Sequence, residues 1–417
     1  RNADTLWTRE DLAREAPGLD WPQFLDAAGL AQQKDFVIWQ PSAVKGGAAL
    51  VADQPLEVWL DYLRLRMFDE YADLLPRAFA DARAAIHGPP DLDAARKALS
   101  GSIGRLYAER YFPAAQKARV DAIVRNVTAA FRRRVAAVGW LSPASRAMAL
   151  KKLDLVYFGI GYPERWPNYS SLVVNPNDAV GNRWRLAAWQ YQETRSRIGQ
   201  PVDLKSWWIA PQTPGGLLMF NQNAYNFAAA LLQPPKFDPA ASDATNYGAI
   251  GAIVGHELSH FVDTLGADYD DRGRKARWWT AADLAGYQAA TAALVRQFSN
   301  YSIPSGAHLD GQRMLVENVA DLAGLSAAFD AYRQTLGEHA SDRNYVRRQD
   351  REFFSGFARA WRSRYRDEAL QKQAGSDHAP EQFRVATVRN LDAWYEAFDV
   401  TPGQTLYLEP RSRAHVW

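Results

Sequence analysis

The chain has 417 residues, 47% of them hydrophobic, and a formal net charge of +2. That length supports a large core and more than one domain, and the balanced charge gives no electrostatic reason for a nucleic-acid or anionic-membrane partner. There is no cysteine, which excludes disulfides, thiolate metal sites and cysteine nucleophiles, so a metal here must be held by His, Asp or Glu.

In chain order, Arg1-Asn2-Ala3-Asp4 has no charged-then-apolar signal pattern, and no apolar run is long enough to span a bilayer. Leu56 to Phe68, Leu92 to Leu99 and Ala118 to Val138 carry apolar residues at three- and four-residue spacing among charged ones, which predicts amphipathic helices packed on one another. Gly161-Tyr162-Pro163 through Pro167-Asn168 and Asn175-Pro176-Asn177-Asp178 are turn-rich breaks, with a short strand expected between them at Ser171 to Val174. Pro211 to Gly216 reads as a loop, Leu217 to Phe220 as a strand, and Phe227 to Leu232 as an apolar segment closed by Pro234-Pro235. A long helix is expected from Asn246 to Leu265, stopped by Gly266, and further helices at Thr280 to Ser299, Leu315 to Thr335 and Asn344 to Asp367. The domain reading that follows is a mostly helical region over residues 1–205, discontinuous in the fold, and a catalytic domain over 206–417.

The chemistry centres on His256-Glu257-Leu258-Ser259-His260. Residues four apart on a helix stand one above the other on one face, so two imidazoles can share one metal ion while Glu257 reaches the attacking water without ligating. With only seven histidines in the chain, two at this spacing inside an apolar helix are informative. A catalytic zinc needs a third protein ligand and an open position. The best candidate is Glu317 in Glu317-Asn318-Val319-Ala320-Asp321, a carboxylate within an apolar stripe, where an unpartnered buried charge is costly. The alternative is an ordinary helix-surface glutamate. Asp321, one turn on, and Asp263, three residues after His260, can each accept a hydrogen bond from the second ring nitrogen of a metal-binding histidine, or lie at the surface.

These segments bring out a resemblance. Ile160-Gly161-Tyr162-Pro163, Leu232-Gln233-Pro234-Pro235, Asn246-Tyr247-Gly248 leading into the His256–His260 motif, Trp278-Trp279-Thr280, Glu317 to Asp321, Phe354-Ser355-Gly356-Phe357-Ala358, Asp377-His378 with Phe383-Arg384-Val385, and the terminal Val416-Trp417 resemble, in order and spacing, the neprilysin and endothelin-converting-enzyme family of zinc metallopeptidases. The resemblance runs from about Gly101 to the C-terminus. It implies a mainly α, α+β fold: a thermolysin-like zinc-peptidase domain with a small sheet, beside a helical domain enclosing a cavity. It implies one Zn2+ held by His256, His260 and Glu317, with Asp321 as the carboxylate behind a histidine. It also implies His378 as donor to the oxyanion and Arg384 as the group holding a substrate carbonyl. The expected activity is endopeptidase cleavage of oligopeptides with a hydrophobic residue after the cut.

The chain departs from the family at three places. The family has an Asn-Ala-aromatic-Tyr segment on the edge strand that pairs with substrate, and Asn223-Ala224-Tyr225-Asn226 looks like it. Counting twelve residues back from Phe227, however, reaches Gly215-Gly216, so the glycines are expected at the substrate strand and Asn223 is a decoy. Animal members carry disulfides and a membrane anchor, while here His415 stands where a cysteine precedes the terminal Val-Trp. A monomeric bacterial member, periplasmic or secreted, is the expectation. Members also carry many more residues ahead of the segment that opens this chain. The alternative reading is a peptide-binding member of the same fold that cleaves weakly, because Gly215-Gly216 and a short N-terminal region both remove substrate contacts.

Overall fold

The computed structural model describes residues 5–88 and 99–417. The chain divides into two compact units, residues 1–98 with 169–198, and residues 99–168 with 199–417. Residues 99–168, grouped on sequence with the N-terminal region, pack inside the second unit. There the helix Ala114–Ala137 buries Val120, Ile123, Val124, Val127, Phe131 and Val135 in the main core.

The first unit has two antiparallel strands, β1 (Thr5–Thr8) and β2 (Asp35–Ile38), and a small core of Trp7, Leu12, Ala16, Leu25, Ile38 and Ala48. The helix expected at Leu56 to Phe68 forms as Leu56–Tyr71 but buries no residue, so its apolar side is not packed as the periodicity suggested. The stripe from Leu92 to Leu99 falls outside the described residues except for Leu99. Ser171 to Val174 is not a strand. Val173 and Val174 are exposed, no described strand lies beside them, and the Val173 carbonyl instead accepts from Arg185 Nε at 3.0 Å.

The second unit holds a three-stranded sheet in the order β3 (Tyr157–Gly161), β5 (Ala224–Ala228), β4 (Gly216–Met219). The central strand β5 runs parallel to β3 and antiparallel to β4. β5 is buried along its whole length. β4 is therefore one of the two edge strands, with one side of its backbone not paired to any described strand.

The helix expected from Asn246 to Leu265 is built from Asp243–Asn246, a wide π-type turn Tyr247–Gly251, and Ala252–His260. It ends five residues earlier than the apolar pattern indicates. Asp263, fully buried, accepts the Leu265 N–H at 2.8 Å and turns the chain back toward His260. Leu315–Gln334 forms as expected. Arg343–Ala360 stops well before Asp367, where a separate helix, Asp367–Ala374, begins.

Two helices carry the site, Ala252–His260 and Leu315–Gln334, and they meet backbone to backbone. A Cβ on Gly255 would stand 2.7 Å from the Gly324 Cα, and a Cβ on Gly324 would strike the Ala252 carbonyl and the His256 nitrogen. Only glycine on both sides permits this approach, and it brings the first turn of the later helix over the histidines.

Candidate metal centre

His256 and His260 leave one face of Ala252–His260, both nearly buried. Their ring centroids are 4.7 Å apart. His256 Nδ1 lies 2.9 Å from Asp321 Oδ1, and His260 Nδ1 lies 2.8 Å from Asp263 Oδ2. A carboxylate only accepts, so each Nδ1 carries the proton and each Nε2 presents a lone pair. The two Nε2 atoms face one another at 3.1 Å.

Glu317 occupies the first turn of Leu315–Gln334, where the unpaired N–H groups of a helix favour a negative charge. Its Oε2 lies 3.2 Å from His256 Nε2, 3.5 Å from His260 Nε2 and 2.9 Å from His378 Nε2. None of these contacts has hydrogen-bond geometry, and the buried oxygen has no hydrogen-bond donor. Three lone-pair donors thus converge within 4.8 Å of one another. Without a shared cation they repel, and the set of two imidazoles and one carboxylate is one that zinc accepts. The residues present fit the metal.

Behind the donors, Asp321 is 2% exposed and both its oxygens are engaged. Arg384 Nη2 donates to Oδ1 at 2.6 Å and Arg384 Nε to Oδ2 at 2.8 Å. Burial pushes this carboxyl up, but the guanidinium and the His256 hydrogen bond outweigh it and hold it down to about 2. Arg384 is itself buried, its guanidinium carbon 3.8 Å from the centre of the Trp361 ring. Asp377 Oδ1 meets His378 Nδ1 at 2.8 Å. Glu257, next to His256, is half-buried.

This geometry comes with kinship. The sequence matches the profile of peptidase family M13 over residues 1–163 and again over 219–414. The chain belongs to peptidase family M13. It is 27% identical to a neutral endopeptidase of Lactobacillus helveticus over 95% of this chain and 62% of that protein. It is 26% identical to human endothelin-converting enzyme-like 1 over 98% of this chain and 56% of that one. It thus spans little more than half the length of these relatives. Among solved structures, the open state of the Mycobacterium tuberculosis zinc metalloprotease Zmp1 matches with a TM-score of 0.86 at 32% identity, over all of this chain and 68% of that one. PepO from Lactobacillus rhamnosis matches with a TM-score of 0.81 at 27% identity, over all of this chain and 67% of that one. The mainly helical fold with small sheets is shared with these M13 peptidases. No described helix is long and apolar enough to cross a membrane.

The structure brings His256, His260, Glu317, Asp263, Asp321, His378 and Arg384 to one place. Gly216 opens the edge strand β4, with Gly215 just ahead of it receiving the Ala228 N–H at its carbonyl. Asn223 is not part of β4. Its backbone is left-handed at φ 50°, its side chain is buried, and Nδ2 donates to the Lys152 carbonyl at 2.9 Å. Asn223→Ala is therefore expected to leave kcat/KM within about twofold while lowering stability by about 1–2 kcal/mol, through the lost hydrogen bond and the left-handed backbone. Parallel turnover and urea-denaturation measurements check both halves.

Sequence reasoning missed the Gly255–Gly324 crossing and Trp361 beneath Arg384. A glycine in the middle of each of two helices was the available signal for the crossing. Nothing local marks Trp361.

Proposed function

We propose that the chain is a zinc-dependent endopeptidase acting on oligopeptides, with a hydrophobic residue favoured after the scissile bond. The observation that carries this reading is the convergence of His256 Nε2, His260 Nε2 and Glu317 Oε2 within 4.8 Å of one another, with both Nδ1 atoms already committed to carboxylates. Membership of family M13 supports it, as do relatives named neutral endopeptidase and zinc metalloprotease. When bound, zinc supplies Lewis-acid polarisation of the peptide carbonyl and acidifies water.

The remaining steps belong to side chains. Glu257 stands one position past His256 and half-buried, and takes the proton of the attacking water. The same carboxyl then returns that proton to the departing amine. His378, with 40% of its side chain exposed beside Glu317, has its pKa raised first by Glu317 and also by Asp377. As the imidazolium it donates from Nε2 to the oxyanion of the tetrahedral intermediate, while Asp377 at its Nδ1 orients the ring. Arg384 uses Nε and Nη2 on Asp321, which leaves Nη1 for a substrate carbonyl. The backbone of β4, from Gly216, pairs with the extended substrate as an added strand, and Gly215 and Gly216 contribute no side-chain contact.

Removing the metal with a chelator is expected to abolish hydrolysis, and one equivalent of zinc to restore it. Mass spectrometry of products from a peptide library should show internal cuts ahead of hydrophobic residues. A zinc-loaded chain that binds these peptides and releases no product would overturn the reading in favour of a peptide-binding member.

A further inference from the structure

Tyr225 lies on the central strand β5 and is 5% exposed. Residues alternate across a strand, so Tyr225 and Phe227 share a face. Their rings are 4.4 Å apart, and Phe158 of β3 flanks them at 6.5 Å and 5.8 Å. Phe158 in turn meets Phe261, at the end of the histidine helix, at 6.4 Å. This aromatic stack fixes the phenol on the side of the sheet that covers the zinc-binding motif. Glu257, on the helix that Phe261 closes, is the charged group that acts on the Tyr225 hydroxyl. Burial first, and the Glu257 charge second, push the phenol well above its ordinary range, so it is a donor at every working pH.

The neighbouring edge strand makes room for that hydroxyl. Gly216 pairs with Phe227, which places it diagonally across from Tyr225 on the same face. A Cβ built on Gly216 would collide with the Tyr225 hydroxyl oxygen and its ring carbon. Gly216 does not have a positive φ; what the position demands is space. The glycine that removes a side chain from the substrate strand is thus the residue that admits a phenol to the site.

We propose that Tyr225 is a positioning residue for Glu257: its hydroxyl, admitted by the missing side chain at Gly216, donates a hydrogen bond to the carboxylate and holds it in one orientation beside the attacking water. A carboxylate has two oxygens and two rotatable bonds, and pinning one oxygen leaves the other aimed at the proton it must take. Preorganisation of this kind lowers the barrier without new substrate contacts, so its loss falls on kcat. The inference rests on Glu257 as the base.

In the zinc-loaded protein, Tyr225→Phe is expected to lower kcat about tenfold, equivalent to about 1.4 kcal/mol in the barrier, with KM and zinc content unchanged. Gly216→Ala should lower kcat similarly by pushing the hydroxyl aside, and the two kcat losses should not multiply in the double variant. In the metal-free protein, Tyr225→Phe should lower the thermal midpoint, and that shift should vanish when Glu257 is already Ala. Full kcat in Tyr225→Phe, or the same midpoint shift with and without Glu257, overturns the proposal. An inactive Glu257→Gln beside a fully active Tyr225→Phe condemns the tyrosine alone. An active Glu257→Gln removes the base assignment and this inference with it.

Discussion

Glu257→Gln is expected to retain one zinc ion per chain and to lose peptide hydrolysis by about three orders of magnitude. The substitution is nearly isosteric, so the half-buried position accepts it without repacking. The metal-binding atoms are untouched: His256 and His260 leave the same helix at four-residue spacing, and their Nδ1 atoms stay on Asp321 and Asp263. What disappears is the capacity to take up a proton, since an amide nitrogen is not a base. The measurements are zinc per chain by atomic spectroscopy and kcat on a fluorogenic peptide. Turnover near the parent rate in a metal-replete variant would show that another group takes the proton.

Asp321→Ala should weaken zinc binding by about 10- to 100-fold and destabilise the metal-free protein by about 3–5 kcal/mol. Asp321 touches no metal-binding atom of its own, yet three hydrogen bonds end on it. Its removal leaves the His256 Nδ1–H without an acceptor, so the ring is free to rotate and to change tautomer. It also leaves the Arg384 guanidinium, 8% exposed, as an uncompensated buried charge. That second cost is larger than the value of the pair itself, because burying an unpaired cation is what the pairing avoids. Asp321→Ala/Arg384→Ala should therefore regain part of the lost stability while leaving zinc affinity low. Chelator competition reads the first effect and guanidinium denaturation of the metal-free protein the second. Zinc affinity within twofold of the parent would mean that the His256 ring is held by something else.

Several features of the site were legible in the chain itself. The His256–His260 spacing on an apolar helix needs only 3.6-residue geometry, and Glu317 one turn before Asp321 needs only the same rule. The order of the remaining segments pointed to the family, which the profile match and the Zmp1 and PepO structures show. The element boundaries were less legible. Apolar periodicity continues through Phe261 to Leu265, and it took the buried Asp263 carboxylate, folding back onto the next backbone amides, to end the helix at His260. At Leu56–Tyr71 the periodicity names a helix correctly but not its packing, because a stripe of leucines records what a face can bury and not what lies against it.

By itself the sequence determined the His256–His260 donor pair, the absence of thiolate chemistry and the helical character of the elements that carry the donors. These depend on residue type and on spacing within one element, and such spacing is the same wherever the element ends up. The tertiary structure alone decided that Glu317 comes over the histidines, that Gly255 and Gly324 touch, that Arg384 is locked onto Asp321 over Trp361, and that Gly216 leaves room for the Tyr225 hydroxyl. Each of these joins residues from different elements, and which buried donor meets which acceptor is settled by how closely two backbones can approach.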